Sequence, residues 1–130
     1  MRILIVDDDY VSRTQLKSLL SAYGDCDAAP NGEAALILIE DAFVNKLPYA
    51  LITMDLDMPT MKGRHVLSCI REYEEMRKMP DNARSKVVVV TSAHALKDVA
   101  ESYRQECSGY IIKPATADVI KKTLTELKLI

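Results

Sequence analysis

The chain has 130 residues, of which 48% are hydrophobic and 28% are charged, a balance that is typical of one folded domain and argues against intrinsic disorder. Its formal charge of −2 shows no basic excess of the kind that predicts binding to nucleic acid or to a membrane surface. The longest apolar runs, at residues 34–39 and 87–90, are far shorter than the ~20 residues that span a bilayer.

The amino terminus and the cysteines indicate the compartment. Met1 is followed within a few residues by the acidic Asp7-Asp8-Asp9, which does not fit a secretory signal peptide. The three cysteines are odd in number and have no CxxC spacing, so we expect free thiols that fill the core. They are Cys26, Cys69 and Cys107. We therefore expect a single domain over residues 1–130 in a reducing cytoplasm.

Short apolar runs predict five β-strands. Ile3 to Val6 form a continuous apolar run, and residues 87–90 are four valines in succession. Runs of this kind are typical of parallel strands that are buried on both faces. Residues 25–29 are less apolar and predict a short strand near an edge. In chain order the predicted strands cover residues 2–6, 25–29, 49–54, 86–90 and 109–112.

A helical pattern follows each predicted strand. In the first helix Leu16, Leu19, Leu20 and Tyr23 recur at helical spacing, and Gly24 is its expected end. The other helices are predicted at residues 33–45, 64–79, 93–105 and 116–129. Five βα units predict an open parallel sheet with helices on both faces, because they are too few to close an eight-stranded barrel. The expected fold class is a doubly wound α/β domain.

Polar side chains follow four of the five predicted strands. Asp7 and Asp8 follow the first strand and Asp55 the third, whereas Thr91 follows the fourth and Lys113 the fifth. Ligands of open α/β sheets bind at the carboxyl edge, where the strand order reverses. These side chains meet in one crevice only if the strand order is 2-1-3-4-5. The same residues therefore predict the topology and the site.

The chemistry of this crevice follows from its charges. The carboxylates of Asp7, Asp8 and Asp55 would repel one another unless a cation lay between them. Oxygen ligands with few fixed partners suit Mg²⁺, which keeps several waters. A divalent cation and Lys113 together balance three negative charges, and Thr91 adds a hydroxyl donor. The set predicts that an aspartate accepts a phosphoryl group whose oxygens these cations stabilise.

Four segments at four strand ends together resemble the response-regulator receiver domain of the CheY-like type. Each segment is a weak signal alone, but their order and positions are highly specific. They are Ile3-Leu4-Ile5-Val6-Asp7-Asp8-Asp9, Met54-Asp55-Leu56-Asp57-Met58-Pro59, Val90-Thr91-Ser92-Ala93 and Tyr110-Ile111-Ile112-Lys113-Pro114. The resemblance covers the whole chain and implies the flavodoxin-like (βα)5 fold with strand order 2-1-3-4-5.

The resemblance also implies a role for each matching residue. Asp55 matches the phospho-acceptor, and Asp7 and Asp8 match the pair that holds Mg²⁺ or Mn²⁺, with the backbone carbonyl of Asp57 as a further ligand. The residues that would contact the phosphoryl group or switch with it are Thr91, Lys113 and Tyr110. The positions that would tune the lifetime of the phosphoryl group are Asp57 and Ala93. The family has a cis peptide bond at the position of Lys113–Pro114.

A signalling module, and not an enzyme, is the function that the resemblance implies. Its chemistry would be limited to self-phosphorylation and autodephosphorylation. A histidine kinase or phosphotransfer protein would donate to Asp55, and a downstream target or output domain would read the surface of the fourth helix, fifth strand and fifth helix. That surface is also a candidate for homodimerisation. We expect no direct contact with nucleic acid or membrane.

Two other functions remain open. A degenerate receiver would bind its partner without phosphorylation. A phosphohydrolase of the haloacid-dehalogenase type would use Asp55 as a nucleophile in a DxDx[T/V] motif, but Pro59 occupies the fifth place and Thr60 comes one residue late. Turnover of a free phosphate ester would distinguish the phosphohydrolase from a receiver.

Overall fold

A computed structural model describes the chain except for residues 57, 59, 60 and 96–106. Its centre is a five-stranded parallel sheet of order β2-β1-β3-β4-β5. The strands are β1 (Arg2–Val6), β2 (Asp25–Ala29), β3 (Leu51–Met54), β4 (Lys86–Thr91) and β5 (Gly109–Ile112). The predicted fold class and strand order are thereby confirmed.

The helices cover both faces of this sheet. They are α1 (Tyr10–Leu20), α2 (Gly32–Val44), α3 (Gly63–Met76), α4, of which residues 93–95 are described, and α5 (Ala117–Glu126). A short 3-10 helix, Asp81–Ala83, lies between α3 and β4. Within the described part of the chain, no helix is long and apolar enough to cross a membrane.

The apolar strands supply two cores because alternate side chains point to opposite faces. Ile3 and Ile5 of β1 pack with α1 and α5, and Leu4 and Val6 pack with α2 and α3. The valines of β4 divide between the faces in the same way. The four apolar side chains of β1, Ile3 to Val6, are at most 1% exposed, so β1 is a central strand, as its continuous apolar run predicts.

Three helices end in a Schellman motif whose left-handed residue is a lysine. Lys46, Lys78 and Lys128 have φ angles of 58°, 52° and 60° and follow α2, α3 and α5. After α2, for example, the N–H of Leu47 donates to the carbonyl of Ala42 at 2.9 Å. Such bonds satisfy carbonyls that a helix end would otherwise leave without partners.

These motifs explain why α3 and α5 are shorter than predicted. The prediction placed the end of α3 near Met79, but the chain reverses at Lys78 and Met79 N–H returns to the carbonyl of Glu74. The final helix likewise ends at Glu126 and not at Leu129. The first helix ends at Leu20, before the predicted stop, and residues 21–23 form turns.

The strand predictions need two smaller corrections. β3 begins at Leu51 and not at residue 49, because Pro48 has no N–H and the Tyr49 carbonyl accepts from the Ser85 hydroxyl. β4 extends one residue further than predicted, to Thr91, which pairs with Ile112. The predicted helix over 93–105 lies outside the described residues from residue 96 onwards.

Candidate functional site

The carboxyl edge of the sheet brings the predicted polar residues together. Asp7 and Asp55 directly follow β1 and β3, Thr91 is the last residue of β4, and Lys113 directly follows β5. Asp7 and Thr91 are each 1% exposed and Asp55 is 6% exposed, whereas Asp8 is exposed to solvent. The crevice therefore has a buried floor and one open side.

Asp55 lies at the centre of the crevice. The Thr91 hydroxyl donates to its Oδ1 at 2.9 Å, and Lys113 Nζ donates to its Oδ2 at 2.9 Å. The backbone N–H of Asp55 donates to the carbonyl of Val6 at 3.0 Å, which continues the β1–β3 ladder by one residue. Both carboxylate oxygens of Asp55 therefore have a donor that is itself fixed at a strand end.

Close packing of α3 also fixes the backbone of Asp55. A Cβ on Gly63, the first residue of α3, would lie 2.6 Å from the carbonyl oxygen of Asp55. Such a contact is too short for a side chain of any size, so the helix approaches this strand end only because residue 63 is glycine. The predicted helix begins at Arg64, so this role of Gly63 was not predicted, and the sequence carries no signal for it.

The second buried carboxylate, Asp7, has one contact at each of its two oxygens. Its Oδ1 accepts the N–H of Asp9 at 2.9 Å, and its Oδ2 forms an ion pair with Lys113 Nζ at 2.9 Å. Its backbone N–H donates to the carbonyl of Ala29, and its own carbonyl accepts from the Arg13 guanidinium at 2.8 Å. Asp9 is the N-cap of α1, where its side chain accepts the N–H of Ser12, and aspartate is a favoured residue at this position.

Lys113 bridges the two buried carboxylates, and the pKa values reflect this. Burial raises the pKa of Asp7 above its ordinary value, although the contact with Lys113 opposes the rise. Burial alone would lower the pKa of Lys113, but its contacts with Asp7 and Asp55 outweigh burial and hold that pKa above 10.5. Lys113 therefore carries a full positive charge at neutral pH.

The acidic residues offer a set of oxygen ligands for a hard cation. One carboxylate oxygen from each of Asp7, Asp8 and Asp55 lies within 4.8 Å of the others. Three carboxylates and one lysine leave two negative charges, which a divalent ion would neutralise. Mg²⁺ takes oxygen ligands and retains waters, for which the exposed side of Asp8 leaves room. The donor set therefore fits Mg²⁺.

The other residues of the predicted site, Tyr110, Ala93 and Asp57, lie outside this set of contacts or outside the described residues. Tyr110 is half-buried and pairs with Val89, so it shares a face of the sheet with Thr91 two residues further along β4. Ala93 is exposed in the first turn of α4, and Asp57 lies outside the described residues. The peptide bond between Lys113 and Pro114 is cis, as the resemblance implied.

A wide groove of about 850 Å³ lies away from this crevice, beside α3 and β4. Its basic residues include Arg71, which contacts the buried Glu74 at 2.6 Å, and Arg84, which contacts Glu75 at 2.9 Å. These arginine charges are already compensated by carboxylates. The charges of these two arginines therefore do not mark an anion site.

Comparison with known proteins defines the class. A family model described as the response regulator receiver domain matches residues 3–125, and the chain belongs to this family. It is a CheY-like receiver domain of the two-component response-regulator type. The family is generally a signalling one without catalytic function, and its domains interact with histidine kinases or phosphotransfer proteins and with output targets.

Individual relatives span nearly the whole chain. Chemotaxis protein CheY-3 of Vibrio cholerae is 31% identical over 129 residues, which are 98% of this chain and 91% of that protein. Chemotaxis protein CheY of Pseudomonas aeruginosa is 29% identical over 129 residues, with coverage of 98% and 95%. The structure of TrrA from Thermotoga maritima, solved in complex with Mg²⁺-BeF, is 29% identical, with a TM-score of 0.71 and coverage of 99% and 98%.

Proposed function

We propose that this chain is a phosphorylation-controlled switch in which Asp55 accepts a phosphoryl group from a histidine kinase or phosphotransfer protein, with Mg²⁺ (or Mn²⁺) as cofactor. The observation that carries the proposal is the Asp55 carboxylate, which lies between the Thr91 hydroxyl and the Lys113 ammonium beside Asp7 and Asp8. No other carboxylate among the described residues has this combination of neighbours.

The transfer itself is a substitution at phosphorus. A carboxylate oxygen of Asp55 forms the new P–O bond, and the P–N bond to the donor histidine breaks. The ion held by Asp7, Asp8 and Asp55, with the Asp57 carbonyl as a further ligand, would neutralise charge on the phosphoryl oxygens. Lys113 would provide a second positive charge, and it also forms an ion pair with Asp7 at 2.9 Å.

The switch would begin at Thr91. Its hydroxyl now donates to Asp55 Oδ1, and an added phosphoryl group offers that hydroxyl new acceptors further from the sheet. Because Thr91 and Tyr110 share one face of the sheet, displacement of Thr91 changes the space available to the Tyr110 ring. Tyr110 lies on β5, whose Ile112 is 51% exposed, and the signal would thus reach the surface of α4, β5 and α5.

The same surface would serve the downstream partner. Val119 of α5 is 41% exposed and adds a second apolar side chain to that of Ile112. A target protein, an output domain or a second copy of the chain would bind there, and no contact with nucleic acid or membrane is proposed. We place the switch in the cytoplasm, with residues 1–130 as one receiver domain, and we assign the lifetime of the phosphoryl group to Asp57 and Ala93.

The deciding experiment is intact mass spectrometry after incubation with acetyl phosphate, with and without Mg²⁺. We expect the parent protein to gain one phosphoryl group only when Mg²⁺ is present, and Asp55→Asn to gain none. Asp41→Asn, which removes an exposed carboxylate on α2, is the matched control and should behave as the parent does.

Three outcomes would overturn the proposal. An adduct that survives in Asp55→Asn would move the acceptor to another residue. Absence of any adduct, together with no change in thermal stability on addition of beryllofluoride and Mg²⁺, would identify a degenerate receiver that binds partners without phosphorylation. Turnover of a free phosphate ester would favour the phosphohydrolase, which no feature of the described residues supports.

A further inference from the structure

Arg13 reaches back from α1 to the acidic end of β1. It is half-buried, and its guanidinium donates to the backbone carbonyl of Asp7 at 2.8 Å. The guanidinium carbon also lies 5.6 Å from the centroid of the Tyr10 ring, within the range of a cation–π contact. Its charged head is therefore held between the helix and the site and does not extend freely into solvent.

The bond that Arg13 makes restrains one particular peptide plane. The carbonyl of Asp7 and the N–H of Asp8 belong to the same planar unit, so an anchor on the carbonyl also fixes the direction in which the chain enters Asp8. Asp7 itself has further restraints, because its N–H is bound to Ala29 and its Oδ1 to the N–H of Asp9. Among the described residues, nothing gives Asp8 comparable support.

Asp8 is the member of the acidic set that depends most on its backbone. Its side chain is exposed, and among the described residues no hydrogen bond or ion pair to its carboxylate is found. Even so, its carboxylate lies within 4.8 Å of those of Asp7 and Asp55. Since like charges repel at this distance, a backbone anchor is needed to hold it there without a cation.

We propose that Arg13 is a positioning residue that holds the Asp7–Asp8 peptide so that Asp8 completes the divalent-cation site. The inference rests on the proposed function, because it concerns the cation that this function requires. It adds a residue that contacts neither the ion nor the phosphoryl group. Arg13 acts on the cation only through the carbonyl of Asp7.

The charge of Arg13 and its role as an anchor have opposite effects on the affinity for a divalent cation. Arg13 is a cation beside a cation site, so its charge alone disfavours a bound divalent ion, and its removal would tighten binding. Loss of the anchor would instead weaken binding, because Asp8 would have to be ordered when the ion binds. A hydrogen bond from a charged donor is stronger than one between neutral groups, so we expect loss of the anchor to outweigh loss of the charge. The dissociation constant for the cation should then rise roughly three- to tenfold.

The experiment measures Mn²⁺ binding to the unphosphorylated protein from the loss of the free-ion signal in electron paramagnetic resonance. Arg13→Met keeps the length of the side chain but removes the donor and the charge, and we expect it to weaken binding by that factor. Arg13→Lys restores a donor of similar reach and should recover part of the affinity. Lys17→Met is the matched control, since it removes a positive charge one turn further along α1 and should not weaken binding.

Equal or tighter Mn²⁺ binding by Arg13→Met would overturn the inference, and so would the absence of recovery in Arg13→Lys. Circular dichroism and the midpoint of thermal unfolding establish that each variant is folded. Arg13→Gln, which is neutral and too short to span the same distance, replaces the methionine variant if that one does not fold. If the parent protein binds no Mn²⁺, the cation site of the proposed function fails together with this inference, whereas failure in the variants alone leaves the proposed function intact.

Discussion

Asp8→Asn should stabilise the protein when no divalent cation is present. The carboxylate of Asp8 lies within 4.8 Å of those of Asp7 and Asp55, and Lys113 contacts the other two carboxylates. At that separation each repulsion is worth roughly 0.9 kcal/mol at the dielectric constant of water and about 3.5 kcal/mol at an effective value near 20. Because Asp8 is exposed, the lower figure is the better guide.

Two such repulsions, partly offset by the attraction between Asp8 and Lys113, give a stabilisation of about 1 kcal/mol, which corresponds to a rise in the unfolding midpoint of roughly 3–5 °C for a domain of this size. The assay is thermal unfolding in EDTA at low ionic strength, with Asp41→Asn as the control for loss of one exposed carboxylate. High salt should reduce the gain, because it screens charges at this distance.

Excess Mg²⁺ should make the parent protein more stable than Asp8→Asn. The parent protein should gain stability from the ion that we propose it binds, by about 2.7 kcal/mol at one hundred times the dissociation constant, and Asp8→Asn should gain much less. A midpoint for Asp8→Asn that is unchanged or lower in EDTA would refute the reasoning, because it would mean that the three carboxylates do not repel in the protein without a cation.

Three other perturbations have expected results. Lys46→Gly should be more stable to urea than Lys46→Ala by about 1 kcal/mol, because both lose the charge but only glycine adopts the left-handed φ of 58° without strain. Gly63→Ala should lower the unfolding midpoint and the yield of phosphorylation, because its Cβ would lie 2.6 Å from the carbonyl oxygen of Asp55; an unchanged yield would contradict this contact. The contacts of Lys113 with Asp7 and Asp55 hold its pKa above 10.5 in the folded protein. Its contribution to stability should therefore be complete below this pH and should be lost as pH rises through the folded pKa. In urea titrations, Lys113→Met should show a shallower loss of stability at alkaline pH than the parent protein.

The sequence predicts the sheet and the candidate crevice well because both depend on local signals. The apolar runs of β1 and β4 are continuous, and each polar residue directly follows its own strand. Parallel strands bring their carboxyl ends to one edge, so residues as distant as Asp7 and Lys113 meet without any long-range information in the sequence. Asp57 and most of the fourth predicted helix lie outside the described residues.

Features that depend on contacts between distant segments were not predictable. Glu74 is completely buried in α3, although an ionisable residue is expected at the surface. Its carboxylate accepts the N–H of Ser85 at 2.7 Å and contacts Arg71 at 2.6 Å, and Ser85 lies in a connection whose path the sequence does not show. The helix ends were missed for a different reason, since the left-handed residue of each motif is a lysine where the usual pattern expects glycine.

The lysines that end three helices place positive charge at one edge of the sheet. Helices in a βα unit run opposite to the strands, so Lys46, Lys78 and Lys128 all lie at the amino edge of the sheet, whereas Asp8 and Asp55 lie at the carboxyl edge. Ammonium groups at helix carboxyl ends interact favourably with the helix dipole. A divalent cation would be attracted by the carboxylates of the acidic edge, and this attraction would weaken as salt is added.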